Sequence, residues 1–229
     1  MTETRGHFHT ELAKLEVDLI DMAELASTQI EDTIAALLAG DAEQAEAVVS
    51  KDVEIDRRYL ELERRWQELI ALQTPVAADL RLMTLILQTG HSVERVGDQA
   101  VNIAKITRAV EGLPRRETIL LHIKEMGDIV VPMLHVALEA LVKRDLSLAV
   151  RLPEVDEPVD RLNHNMYKEV ADCGPDHDLL EWAVRMMLVS RALERVGDRA
   201  VDIGEQVAYL LTGEFQEFGH DASIVFDAR

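Results

Sequence analysis

The chain of 229 residues has a single cysteine, Cys173, and aromatic residues make up only 4% of it. One thiol excludes an intramolecular disulfide and suits a reducing compartment. With aromatics scarce and Ala, Leu, Glu and Arg dominant, the composition favours helix over sheet. Long apolar runs are absent as well. Stretches such as Leu82 to Leu87 are far too short to span a bilayer, and no basic segment leads into an apolar one at the N-terminus, so no secretory signal is expected. Positive charge is in deficit, with 24 basic against 43 acidic residues and a formal net charge of −19. That field repels nucleic acid and anionic membrane, and attracts cations or basic partner surfaces. The expectation is a soluble cytoplasmic protein with no nucleic-acid partner.

Recognisable catalytic machinery is missing too. The chain has no Gly-rich phosphate loop, no Gly-x-Ser-x-Gly and no Cys-x-x-Cys. Its histidines are scattered, and none forms a two-His spacing on one helical face, which argues against a zinc hydrolase. A ferritin-like di-iron site needs Glu-x-x-His on two bundle helices. The one such pattern, Glu217 to His220, lies in the C-terminal stretch. These absences together predict a protein that is not an enzyme.

What the chain does contain is a repeat. Glu94-Arg95-Val96-Gly97-Asp98 returns letter for letter as Glu194-Arg195-Val196-Gly197-Asp198. The match continues, with Gln99-Ala100-Val101-Asn102-Ile103 against Arg199-Ala200-Val201-Asp202-Ile203. Gly40-Asp41 corresponds to Arg144-Asp145, and the stretch Asp52 to Arg57 corresponds to Asp156 to Arg161. Apolar residues recurring at three and four predict long helices over 8–38, 42–72 and 75–110, and again over 118–143, 145–172 and 177–211. Gly40-Asp41, Thr74-Pro75, Glu111 to Pro114 and Gly174-Pro175 supply the interruptions. Short connections make neighbouring helices antiparallel. The predicted fold is therefore all-α, two tandem three-helix bundles over residues 1–112 and 113–212, followed by a loose tail over 213–229. One conflict is local: Pro153 and Pro158 fall inside the fifth helix. A kink or break is expected near Leu152, with the better helix starting around Asp156.

The repeat also places carboxylates. Glu and Asp four residues apart share one helical face, where like charges cost a few tenths of a kcal/mol. Glu94 and Asp98 lie on the flank of the third helix's apolar stripe. Asp52 and Asp56 fall between two apolar sectors of the second helix, one with Val49, Val53 and Leu60, the other with Ile55, Tyr59 and Leu62. A carboxylate there needs hydrogen bonds or a cation. Adjacent helices would bring four acids together in each half: Asp52, Asp56, Glu94 and Asp98, then Asp156, Asp160, Glu194 and Asp198. All-oxygen ligation suits magnesium, calcium, manganese or iron. The alternative is neutralisation by Arg57, Arg95, Arg161 and Arg195 in surface ion pairs, each worth little. Gly97 and Gly197, each costing about 1 kcal/mol against Ala in mid-helix, point either to close helix packing or to room for a bulky ion.

At these residues the sequence resembles the PhoU family, accessory regulators of the phosphate-specific transport system. The family's third-helix motif reads Glu-Arg-Ile/Val-Gly-Asp-x-Ala-x-Asn-Ile. Residues Glu94 to Ile103 fit it in full, and the second copy departs at Asp202, where the family usually has Asn. The resemblance spans about residues 8–212. It implies a tandem repeat of three-helix bundles and a cytoplasmic negative regulator of phosphate uptake and of the phosphate-starvation response. The implied partners are the ATP-binding subunit of the phosphate ABC transporter and the phosphate sensor histidine kinase, with membrane contact only through them and a homodimer as the expected assembly. It further implies divalent or trivalent metal ions at the acidic motifs, as iron or zinc clusters, with magnesium or manganese as the alternative. The candidate ligands are Asp52, Asp56, Glu94, Asp98 and Asn102 in the first half, and Asp156, Asp160, Glu194, Asp198 and Asp202 in the second. Two other readings stand beside the regulator: a carboxylate-ligated metalloenzyme on a helical bundle, and a plain helical scaffold.

Overall fold

A computed structural model describes residues 2–218, with side chains from residue 6 onward. Every regular element in it is helical. Three long helices come first, α1 (Thr2–Ala39), α2 (Ala42–Gln73) and α3 (Ala78–Ala109). The pattern then recurs as α4 (Glu117–Lys143), a broken middle pair, α5 (Leu146–Ala149) and α6 (Leu152–Ala171), and α7 (His177–Thr212).

The connections repeat with the sequence. Gly40 and its counterpart Arg144 both have positive φ, 73° and 54°. The aspartate after each caps the next helix: Asp41 accepts from the amides of Glu43 and Gln44, Asp145 from those of Ser147 and Leu148. Such caps satisfy amides that a helix start otherwise leaves unpaired. Thr74 and Gly174 likewise share positive φ, 42° and 69°.

The predicted break in the fifth helix occurs at Val150-Arg151. The new helix starts at Leu152, four residues before the expected Asp156, because Pro153 is tolerated in a first turn where no amide bond is lost. Pro158 lies inside α6 without ending it.

Helices α1, α2 and α3 pack on one another, as do α4, α6 and α7, with α5 against α4 and α7. The halves meet like with like. α3 packs along α7 and α1 against α4, so each half offers the same faces to the other. A single apolar core runs through both, from Leu15, Leu19 and Met22 to Trp182, Met186 and Val207. The arrangement is an all-α fold with repeated helix packing.

On α2 only one of the two expected apolar sectors is core. Ile55 and Leu62 are buried, whereas Val53 and Leu60 are 71% and 62% exposed. The reason is that α1 and α3 both pack against one side of α2, leaving the other side outward. The start of the expected loose tail is docked rather than free: Phe218 is buried and its amide donates to Glu205 at 2.6 Å. His220, in the Glu-x-x-His pattern, lies outside the described residues. Among the described residues no helix is long and apolar enough to cross a membrane.

Candidate functional site

The two motif glycines sit at close helix contacts. A Cβ built on Gly97 of α3 would lie 3.2 Å from Asp52 Oδ1 and 3.2 Å from Ile55 Cδ1, both on α2, and 3.5 Å from Gln29 Oε1 on α1. A Cβ on Gly197 of α7 would collide with Asp156 Oδ1 on α6. The space left by each glycine is therefore filled by the carboxylate of the neighbouring helix. This resolves the glycine question in favour of close packing, with a carboxylate as the packed group.

Burial then acts on these acids. Asp156 is 3% exposed and Glu194 7% exposed, whereas Asp52, Glu94, Asp98, Asp160, Asp198 and Asp202 are half-buried. Asp56 and Asn102 are exposed. Burial, reinforced by Asp56, pushes the Asp52 carboxyl up. Burial and the nearby Asp98 and Asp198 do the same to Glu94 and Glu194. Asp202 is raised mainly by burial. In each of these groups the low-dielectric flank of a helix pair disfavours the ionised form.

Arginines on the same helices favour the ionised form and work against burial. Arg95 reaches Asp98 at 3.1 Å and Glu94 at 3.5 Å. In the second copy the work passes to other residues: Arg191 pairs with Glu194, and Arg199 with Asp202 at 2.6 Å. Arg57 and Arg161 pair elsewhere, with Glu54 and Glu61 and with Glu157 respectively. Arg57 and Arg58 together hold Glu54 down at about 2.

The metal expectation is overturned here. Among the described residues no group of three or more His, Cys, Asp or Glu side chains is placed to hold a metal ion. Glu94, Asp98 and Asn102 stand on successive turns of α3, as do Glu194, Asp198 and Asp202 on α7, so each row climbs about 6 Å per step. Their oxygens form a ridge rather than converge, while a cation such as calcium draws its ligands to about 2.3–2.6 Å. Asp52 and Asp156 are turned against the motif glycines, Asp56 faces outward, and Asp160 sits one turn beyond Asp156 on α6. The candidate residues thus form a row on α3 and a row on α7, with the α2 and α6 aspartates beside them, and not a ligand shell for iron, zinc, magnesium or manganese.

Several contributors were not named from sequence. Gln29 is buried on α1, where its side-chain amide donates to Val48 O at 3.1 Å and supports Asp52. A glutamine interrupting the apolar stripe beside Ile30 was the available signal. Thr33 donates to Ala100 O at 3.1 Å, tying α1 to the motif helix. Arg191 and Arg199 were readable from their three-residue spacing to Glu194 and Asp202. Beside the second ridge lies a cleft of about 390 Å³ lined by Asp156, Asp198, Arg199, Asp202, Glu205 and Phe218 among others.

Comparison with known proteins agrees with this duplicated architecture. The family model described as "PhoU domain" matches twice, at residues 19–107 and 123–207, so each half carries one copy. A phosphate-specific transport system accessory protein PhoU homolog from Clostridium acetobutylicum is 33% identical over 213 residues, covering 92% of this chain and 97% of its own. A homolog of the same description from Caulobacter vibrioides is 34% identical over 216 residues, covering 93% and 94%. The crystal structure of PhoU from Pseudomonas aeruginosa superposes with a TM-score of 0.85 at 28% identity, covering 90% of this chain and all of that one. With the same domain matched in both halves and the relatives aligned almost end to end, the chain belongs to the PhoU family.

Proposed function

We propose that this protein is a non-enzymatic cytoplasmic regulator that holds down phosphate uptake and the phosphate-starvation response. Family membership supports the phosphate context, since the relatives are phosphate-specific transport system accessory proteins. The observation that carries the reading is the pair of acidic ridges, one per half, each anchored by a carboxylate packed on a motif glycine.

A rigid row of half-buried acids on a chain of net charge −19 attracts basic protein surfaces, and speeds and orients their docking. We read the ridges as docking surfaces for the ATP-binding subunit of the phosphate ABC transporter and for the phosphate sensor histidine kinase. In this reading the protein meets the membrane only through them. The units that present the ridges are two tandem three-helix repeats, residues 1–112 and 113–212. A homodimer would double the number of ridges.

The test is an affinity pull-down from cells grown in high and in low phosphate. Recovery of the transporter ATPase or the sensor kinase, lost on Glu94→Lys/Asp98→Lys, supports the reading. Failure to recover either from both growth conditions contradicts it.

A further inference from the structure

The two middle helices, α2 and α6, follow one pattern but differ on their outward sides. On α2, Val53 and Leu60 are 71% and 62% exposed, with Val49 half-buried one turn before them. Residues seven apart on a helix lie within about 20° of one another, so Val53 and Leu60 form one stripe. On α6 the corresponding positions hold Glu157 and His164, both exposed. The fold does not require apolar side chains there, since its second copy does without them.

Charge along α2 also differs from the rest of the chain. From Lys51 to Glu68 five basic residues stand with six acidic ones, near balance in a chain of net charge −19. The matching stretch of α6, 155–172, has two basic residues with five acidic ones. A second copy of so acidic a chain is repelled over most of the surface and least along α2. The charges also flank the stripe in order. Arg57 and Arg64 lie on the side from which Arg65 reaches Asp18 of α1, and Asp56 and Glu63 on the side where Asp52 meets Gly97 of α3. Arg57 pairs with Glu54 and Glu61, and Arg64 with Glu68, all on the exposed surface of α2. Such pairs are worth little and exchange readily.

Two copies of this helix related by a two-fold axis along their length lie parallel. Val53 and Leu60 then each meet their own counterpart, and the arginine flank of each copy runs along the Asp56 and Glu63 flank of the other. An antiparallel pair sets like flanks together, acids against acids, and is disfavoured. We propose that the outward side of α2 is a self-association surface on which a second copy of this chain packs its own α2 in parallel. The proposal deepens the homodimer of the reading above by giving it a face. Its test needs no phosphate-system partner, so the two can fail separately. α6 offers no second surface of this kind, because it would bring Glu157 against its own counterpart. With apolar cover limited to one stripe, association is expected at roughly micromolar concentrations.

Sedimentation of the full chain across concentrations on the order of 1 to 500 µM reads the association. Val53→Glu/Leu60→His gives α2 the residues that α6 carries, and should weaken association at least tenfold with helix content unchanged by circular dichroism. The flanks are tested by exchange. Asp56→Arg/Glu63→Arg and Arg57→Asp/Arg64→Glu should each be monomeric alone and associate when mixed. Direction is read with thiols in a Cys173→Ala chain, where Leu60→Cys should oxidise to a dimer cross-linked to itself, as should Val53→Cys. A chain monomeric throughout overturns the second copy as occupant and leaves the stripe to a helix of another protein. Association that Val53→Glu/Leu60→His leaves intact overturns the surface. Charge variants that fail to associate on mixing overturn the flank pairing, and thiol chains that cross-link mainly Val53→Cys to Leu60→Cys overturn the parallel direction.

Discussion

The first motif copy packs Asp52 against Gly97 with a glutamine beside it, and its ridge ends in Asn102 and Lys105. The second packs the more deeply buried Asp156 against Gly197, and its ridge ends in Asp202 and Glu205 beneath Phe218. The same five residues, Glu-Arg-Val-Gly-Asp, thus stand at two differently tuned sites. The counterpart of Gln29 on α4 is Met133, which is buried among apolar side chains. The first copy stabilises its packed carboxylate with an amide, whereas the second has a methionine at that position and pairs its α7 acids with Arg191 and Arg199. The pentapeptide specifies close approach of the helices. The residues around it decide how much charge each site carries and how accessible that charge is.

The largest expected difference lies at the glycines themselves. Gly197→Ala drives a methyl into a buried carboxylate and should destabilise the fold by about 1–2 kcal/mol, since overpacking outweighs the gain in helix propensity. Gly97→Ala meets contacts of 3.2 Å against the half-buried Asp52 and Ile55, and there the two effects should nearly cancel. Urea unfolding of both variants reads the difference. Equal losses would show that the two junctions are packed alike.

Next in size is a dependence on pH. The raised carboxyls are Asp52 and Glu94 in the first copy and Glu194, Asp202 and Glu205 in the second. An acid raised in the folded state binds its proton more tightly there than when unfolded. Stability from these groups is fully present below their ordinary values of 3.8–4.5 and is lost as pH rises through the raised ones. The melting temperature should therefore climb as pH falls from neutral towards that range. At still lower pH, protonation of Glu54, Glu11 and Asp145, all held down by hydrogen bonds, works the other way. Asp202→Asn/Glu205→Gln should flatten the climb more than Asp52→Asn/Glu94→Gln. The reverse order would place the heavier desolvation in the first half.

The smallest effect concerns the second connection. Thr74 holds a left-handed backbone that its counterpart Gly174 adopts freely. Thr74→Gly should gain a fraction of the roughly 1–2 kcal/mol that this conformation costs a side-chain-bearing residue, part being offset by unfolded-chain entropy. A melting temperature that falls would show that the threonine makes a compensating contact.

The helices were legible because period and punctuation agreed: Gly40-Asp41, Thr74-Pro75 and Gly174-Pro175 stop and start elements within about three residues of where the structure does. The proline conflict also read correctly as a break near Leu152. Which side of α2 faces the core was not legible. Val53 and Ile55 are equally apolar, and only the placement of α1 and α3 on one side decides between them. The metal expectation failed for a related reason. Spacing along one helix says that acids share a face, but not that their oxygens converge, and convergence depends on rotamers and on where Arg95, Arg191 and Arg199 reach. The docked Phe218 escaped because a Gly-containing end with mixed composition reads as coil whether or not one of its aromatics finds a seat.

We propose that the acidic ridges carry the regulation. The direct test is expression of phosphate-uptake genes in high phosphate, measured in a deletion strain complemented with the wild-type chain or with ridge variants that remain folded. Glu94→Gln/Asp98→Asn and Glu194→Gln/Asp198→Asn remove charge and keep shape. The expected outcome is derepression in the deletion, repression restored by the wild type, and partial derepression with either ridge neutralised. Full repression by the chain with both ridges neutralised would contradict it.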